Sequence, residues 1–326
     1  MEISDKKVLI TGGLGFIGSN LVRRLVEFGN SVTVVDSLIP EYGGNLRNLH
    51  DVRNKIVVNL SDVRDPFSIN ELIKGQDYLF NLAGQTSHLD SMDDPFTDLD
   101  INARAQLSIL EACRKNNRNI RIVFASTRQV YGKPQYLPVD EKHPFKPVDI
   151  NGINKIAGEQ YHILYHEVYG IASSILRLTN TYGPRMRIKD ARQTFLGIWI
   201  RNLLENNDIQ VFGDGKQRRD YNYIDDVLDA LLIAATHPDA IGNIYNLGAA
   251  RPLSLEDTAK IMCESMENAD YELVEFPKDR KAIDVGDFIC DYSLFSNQFK
   301  WKPKINFQQG IRKSIEYFRN EMKYYI

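Results

Sequence analysis

Gly12, Gly15 and Gly18 recur at a three-residue spacing inside VLITGGLGFIGSNLVRRLVEFGNSVTVVD, residues 8–36, after a strand-like run and at the opening of a helix-like one. A pyrophosphate needs close backbone approach, and a Cβ at the first two positions would obstruct it. The helix behind the turn offers free N–H groups and a partial positive charge. Phe16 and Ile17 belong to the same turn. Asp36 closes the second strand-like run, where a carboxylate accepts both ribose hydroxyls of NAD and repels the extra phosphate of NADP. The pattern predicts an NAD site; the alternative is a tight turn that only packs a helix on a sheet. His88 follows the fourth strand-like run, at the sheet edge where doubly wound folds bind ligands. His162 and His166 stand one helical turn apart, a spacing that can clamp zinc. No Glu follows His162 and no third ligand is evident, so a solvated or interfacial helix face is expected, and no metal site. The cluster Arg185, Arg187, Lys189, Arg192 is either a solvated loop or holds at least one contact to a substrate phosphate.

These residues need a frame that brings them together. Apolar, β-branched runs fall at 7–11, 31–36, 55–60, 78–83, 120–126 and 172–178, the near-continuous kind that suits strands covered on both faces. Amphipathic stretches lie between them, one carrying Leu99, Ala103, Leu107, Leu110 and Cys113, another Ile156, Ala157, Tyr161, Leu164, Tyr165 and Val168. Both stripes are expected to be chiefly core. The alternation predicts an α/β fold, a Rossmann doubly wound parallel sheet, with a smaller C-terminal mixed α/β substrate domain. The NAD-binding domain is expected over residues 1–179, rejoined by a helix at 227–235 and a strand at 243–247, within about 220–248; residues 180–326 are expected to form mainly the substrate-binding domain. A further helix is predicted near 196–205, and another opens with Ser254 and Asp257 at capping-box spacing.

Composition narrows the function. Lys and Arg number 40 against 43 Asp and Glu, a net charge of −3 that leaves no basic footprint for nucleic acid. Apolar runs fall well short of the roughly 18 residues that span a bilayer, and MEISDKK leads into a strand without an apolar leader. Cys113, Cys263 and Cys290 are scattered, with no CxxC pair, which fits a reducing, cytoplasmic setting.

TGGLGFIGSN, LAGQ, FASTRQVYG, LRLTNTYGPR and GDGKQRRDYNYIDDV occur in this order. With them the chain resembles the extended short-chain dehydrogenase/reductases, specifically the NAD-dependent epimerase/dehydratase family and its UDP-glucose 4-epimerase-like members, over residues 6–305. The resemblance implies bound NAD, oxidation of a sugar C4 hydroxyl to a transient ketone, a nucleotide diphosphate sugar as substrate, and a homodimer built on the two helical stripes. It implies that Thr127 contacts the sugar O4, that Lys155 binds the nicotinamide ribose, and that Asp62 and Val63 flank adenine. Ala83 and Gly84, with Gln85 and Asn102, would line the cofactor. Asn180 and Arg219 would contact the sugar diphosphate, a task suited to a guanidinium fork; Arg128 and Arg192 are further substrate candidates.

Two positions depart from the family. Its Tyr-x-x-x-Lys signature reads Asn151-Gly-Ile-Asn-Lys155 here. A phenol with a reference pKa of about 10 can be tuned into a base; an amide can only orient through hydrogen bonds. None of the sixteen tyrosines has a lysine four residues later. Arg128 and Gln129 stand where 4,6-dehydratases carry their acid and base, so that reaction is not expected. Three readings follow: a substitute base among His88, Tyr131, Asp149, Tyr182 and Lys155; a relay in which catalytic Asn151 orients water or a substrate hydroxyl; or a nucleotide-sugar binding protein with little turnover. The leading expectation is an NAD-dependent epimerase-type enzyme, with a 4-dehydrogenase or ketoreductase and the binder as alternatives.

Overall fold

The computed structural model describes residues 3–192, 194–266 and 269–326. The chain opens with β1 (Lys7–Thr11), α1 (Phe16–Glu27), β2 (Ser31–Val35), β3 (Ile56–Asn59), α2 (Pro66–Leu72) and β4 (Tyr78–Asn81). It continues through α3 (His88–Asp93), α4 (Pro95–Leu99), α5 (Ala105–Asn116), β5 (Arg121–Thr127), α6 (Ile150–Tyr169) and β6 (Ala172–Leu178). Then come β7 (Asn180–Tyr182), α7 (Phe195–Leu204), β8 (Ile209–Phe212), β9 (Arg218–Arg219), β10 (Tyr221–Tyr223), α8 (Ile224–Thr236) and β11 (Ile244–Leu247). The C-terminal part holds β12 (Leu253–Ser254), α9 (Leu255–Cys263), β13 (Tyr271–Val274), α10 (Lys278–Ala282), α11 (Ser293–Phe299) and α12 (Phe307–Glu321).

Seven strands form one parallel sheet in the order β11-β6-β5-β4-β1-β2-β3. Helices cover both faces, which is why Val8, Leu9 and Ile10 are all fully buried although they point alternately to opposite sides. The order reverses between β1 and β4, and the Thr11 hydroxyl fastens that switch point. It donates to Asn81 Oδ1 at 2.9 Å and accepts the N–H groups of Leu82 and Ala83, each at 3.1 Å. The segment after β4 is thereby drawn away from the sheet and over its C-terminal edge.

The first amphipathic stripe is not α-helical throughout. A π-helical turn over Asp100–Arg104 joins α4 to α5, and Asn102 within it reaches the Gln85 carbonyl at 3.0 Å. Each stripe also divides: Ala103, Leu110 and Cys113 are buried, whereas Leu99, Leu107, Leu164 and Val168 are exposed. The sheet accepts only the inner side of each stripe.

Beyond β7 the chain makes three two-stranded sheets, β10 with β7, β12 with β9 and β13 with β8. Ser254 caps α9 by accepting the Asp257 N–H at 2.9 Å, and Asn306 and Gln309 form a reciprocal box at the start of α12. Among the described residues, no helix is long and apolar enough to cross a membrane.

Candidate active site

Gly12 sits at φ +68°, and a Cβ there would lie 2.9 Å from the Ala83 nitrogen; at Gly18 it would overlap the Gly12 carbonyl oxygen. These two glycines let the turn close against β4 and α1. Gly15 differs: a Cβ would meet only Gly12 O, at 3.2 Å, and otherwise enter open space. That space is a cleft of about 120 Å³ floored by Gly12, Gly15, Phe16, Ile17 and Gly18. Its walls include Asp36, Asp62, Val63, Ala83 and Gly84.

Asp36 Oδ2 accepts the Leu14 N–H and Oδ1 the Leu38 N–H, each at 3.0 Å. Burial pushes its carboxyl up, only partly offset by these N–H groups, and each oxygen keeps lone-pair capacity for a ribose hydroxyl. Asp62 is gripped by Arg64 at 2.7 and 3.0 Å. Burial raises the Asp62 carboxyl, but the Arg64 bonds outweigh it and leave it below the ordinary range. A Cβ-free floor, a helix N-terminus and a two-oxygen acceptor on the wall fit a bound dinucleotide.

Five predicted site residues, Gln85, Asn102, Thr127, Asn151 and Lys155, lie outside both cleft walls. Gln85 is buried, with its Nε2 donating to Ser87 O at 2.9 Å and its Oε1 unpartnered. Asn102 holds the Gln85 carbonyl, and its Oδ1 is also buried and unpartnered. Both side chains hold the strip that walls the cofactor cleft, and Asn102 Oδ1 lies 3.0 Å from where a Cβ on Gly84 would be. Asn151 is likewise turned inward, donating to Gln85 O at 2.8 Å and Asp98 Oδ2 at 3.1 Å. Asn154 donates to the other Asp98 oxygen at 2.7 Å, so the amide at 151 is engaged in holding a buried carboxylate and a carbonyl. Lys155 Nζ donates to Ala125 O at 3.1 Å and lies directly behind Gly84, 3.2 Å from where a Cβ would be. Burial lowers it to about 8, against the pull of Asp98 and Glu159. Thr127 ends β5, and its hydroxyl accepts the Gln129 N–H at 3.3 Å, capping the turn that carries Arg128 and Gln129.

That turn faces a second, larger cleft of about 530 Å³. Residues 82–88 connect the two: Leu82, Ala83, Gly84 and Thr86 wall the first cleft, Ser87 and His88 the second. Asn180, Arg128, Arg192 and Arg219 also line the second, and Phe195, Trp199, Phe212 and Phe276 give it an aromatic end. Arg128 Nη1 is buried without a partner, and the guanidinium lies over the Phe288 ring. Burial, reinforced by the charge of Arg219, lowers it to about 10, with Asp220 and Asp284 opposing. Arg219 is held from behind, donating to Gln217 Oε1 at 3.1 Å, Asp284 Oδ1 at 3.2 Å and the Gly286 carbonyl. Asn180 Nδ2 donates to Asp220 O at 2.9 Å. Arg192 is paired with Asp90 and Asp190 at 2.9 and 3.3 Å. Arg187 is paired with Asp190, and Arg185 donates to Asn20 Oδ1 at 2.7 Å; of the basic cluster, only Arg192 reaches this wall.

Several alternative bases are sequestered. Tyr131 is fully buried, accepting from Arg177 at 2.6 Å and donating to Asn246 Oδ1 at 2.7 Å; burial raises its phenol despite Arg177. Arg177 is itself locked to Glu159 at 2.6 and 2.9 Å. Tyr182, also fully buried, donates to Phe307 O at 3.3 Å, and burial raises it well above the ordinary value. His162 is not on a solvated face, as expected, but stacked on Phe124 at 4.6 Å and lowered to about 3 by burial and the Lys155 charge. His166 Nδ1 is 3.2 Å from Ile171 O.

The fold and the glycine-turn cleft define a Rossmann-type NAD-binding protein, with a second, larger cleft joined to the first. A family model described as "NAD dependent epimerase/dehydratase family" matches residues 8–248. A putative UDP-glucose 4-epimerase of Methanocaldococcus jannaschii is 32% identical over 314 residues, covering 96% of this chain and 98% of the relative. The crystal structure of UDP-glucose 4-epimerase with UDP-glucose from Thermotoga maritima superposes with a TM-score of 0.87, at 29% identity, covering 97% of this chain and 99% of that one. The Thermus thermophilus UDP-glucose 4-epimerase, solved with NAD, gives 0.84 at 28% identity, covering 96% and 99%. The chain belongs to the NAD-dependent epimerase/dehydratase family. It is an NAD-dependent nucleotide-sugar enzyme.

Proposed function

We propose that the protein is an epimerase-type enzyme that oxidises and re-reduces C4 of a nucleotide diphosphate sugar. One observation carries this reading: two guanidinium groups, Arg128 with a buried unpartnered nitrogen and Arg219 beside it, line a cleft joined by one short strip to the dinucleotide cradle. A diphosphate supplies the counter-charge that Arg128 lacks and would compete with Asp284 for Arg219, and the aromatic end offers flat apolar surface to a base. NAD held in the glycine turn supplies the hydride acceptor and donor. Asp36 would hold its ribose, Lys155 the nicotinamide side behind Gly84, and Asn180 and Arg219 the substrate diphosphate. Thr127 would contact the reacting oxygen.

The family includes both epimerases and dehydratases. Arg128 and Gln129 argue against 4,6-elimination here, since neither can act as the acid or the base, and Gln129 Nε2 is engaged with Asp149 at 3.1 Å. The exposed Leu99, Leu107, Leu164 and Val168 suit a homodimer contact between paired helices, and three unpaired cysteines suit the cytoplasm. The test is exchange of label between bound NAD and a panel of nucleotide sugars deuterated at C4, with mass spectrometry of ligands released from the purified protein. Exchange with one or more sugars is expected. Tight binding without any exchange would favour a carrier of nucleotide sugars instead.

A further inference from the structure

We propose that His88, oriented by Asp149, is the proton acceptor that replaces the tyrosine missing at position 151; this rests on the enzymatic reading above. Asp149 is the N-cap of α6, two residues before Asn151, and its Oδ1 accepts the Gly152 N–H at 2.7 Å. Its Oδ2 accepts from Gln129 Nε2 at 3.1 Å and lies 3.0 Å from His88 Nδ1. Burial raises the Asp149 carboxyl, but the His88 contact and the two amide donors outweigh it and keep it below the ordinary range. The carboxylate is therefore fixed on its far side by backbone and amide and presents its remaining lone pair to the imidazole. Nδ1 makes no hydrogen bond in the resting geometry although Asp149 Oδ2 is within reach; a small turn of the ring that directs Nδ1–H at Asp149 would leave the free lone pair of the neutral ring on Nε2. Nδ1 is buried, yet the side chain is 35% exposed, so the exposed part of the ring is the remainder, on the wall of the larger cleft.

Two departures from the family pattern thus meet in one place. Gln129 replaces a dehydratase base and holds Asp149, which lies beside His88; Asn151, unable to titrate, holds the backbone of the strip that carries His88. The other groups near the ring are Asp90 and Asp93 on its own helix and Arg192 from the facing loop, which neutralises Asp90. In the proposed step the sugar hydroxyl gives its proton to Nε2 and the C–O bond becomes a carbonyl. The electron pair of the carbinol C–H bond passes to the oxidised nicotinamide cofactor. The imidazolium formed is stabilised by Asp149 and returns its proton when the carbonyl is reduced.

The test pairs two readouts on the NAD-loaded protein. Nitrogen-15 NMR of the histidine rings, with the His88 signal assigned by its loss in His88→Gln, should show Nδ1 protonated and Nε2 bare, and Asp149→Asn, which keeps a capping side chain, should shift that tautomer balance. His88→Gln and His88→Ala should lose C4 deuterium exchange by about 10²–10⁴-fold with nucleotide-sugar affinity within about threefold, and added imidazole should restore part of it to His88→Ala. A ring that side-on lines a cleft leaves the core untouched, so both variants should fold and retain NAD. Exchange in His88→Gln within threefold of the parent, or a ring protonated on Nε2 alone, overturns the assignment of His88 while leaving the enzyme reading intact. A parent protein that exchanges with no sugar at all overturns both.

Discussion

Asp220 lies between β9 and β10, and only 1% of it is exposed. Its Oδ2 accepts the Cys290 N–H, while Oδ1 is buried without a partner. Burial raises the carboxyl from 3.8 to about 7, although the Cys290 N–H and the charges of Arg128 and Arg219 pull it down. Between those two values the folded protein holds a proton that the unfolded chain has released. The associated stability is complete below the unfolded value and is lost as pH rises through the folded one. From about pH 5 to about pH 8 the loss should be roughly 2–3 kcal/mol. Asp220→Asn keeps an acceptor for the Cys290 N–H and removes the titration. Urea unfolding of both proteins at the two pH values isolates the effect, because every other titrating group cancels in the double difference. The parent should lose those roughly 2–3 kcal/mol relative to the variant; parallel pH dependence would refute the reasoning. The same geometry links Asp220 to the ligand. A diphosphate that neutralises Arg128 and Arg219 removes the charges that favour the carboxylate, so binding near pH 7 should take up a proton. Calorimetry in buffers of different ionisation enthalpy should detect that uptake in the parent and not in Asp220→Asn.

Asp36→Ala should weaken NAD by about 1–3 kcal/mol, the cost of losing charged hydrogen bonds, and narrow the preference over NADP; titration of both cofactors into stripped protein checks it. Arg219→Ala should weaken a nucleotide diphosphate sugar by about 1.5–3 kcal/mol and NAD hardly at all. Asp284→Asn, which removes the carboxylate now competing for Arg219, should tighten the sugar in the same calorimetric assay. Asn151→Ala should cost about 1–3 kcal/mol of stability, because it takes a donor from two buried acceptors, yet keep C4 exchange within roughly 10–100-fold, a smaller loss than Thr127→Val.

The sheet was legible because its strands are buried on both faces and leave continuous apolar runs, and the glycine turn because its φ value and close contacts admit no side chain at Gly12 and Gly18. The expected runs match β1 to β6 closely, and β11 falls within the stretch at 243–247. What sequence spacing does not carry is direction. Gln85 and Asn102 fall in the right segment, but the widened turn at Asp100–Arg104 aims Asn102 at a carbonyl instead of the cleft. The i, i+4 pattern of His162 and His166 is blind to Phe124, which turns one of them into a packed ring. Gln129 and Asp149 are twenty residues apart, and only the fold makes them neighbours. Thr11, whose hydroxyl fastens the switch point, gave no signal beyond being the last residue of a strand.

Asn151 bears on how freely such a chain could evolve backwards. Its amide serves Gln85 and Asp98 from a position only 2% exposed, with Asn154 sharing the same carboxylate. A phenol placed there would have one donor where two are in use and a ring where no room is left, so Asn151→Tyr is not a simple reversion. Tyr131 offers no detour, since it is anchored by Arg177 and Asn246. Once the amide had settled into this buried lattice, a lineage could regain a phenolic base only by rebuilding several neighbours at once. Selection on this scaffold would then act on the wall of the larger cleft, where His88 keeps part of its ring in the open.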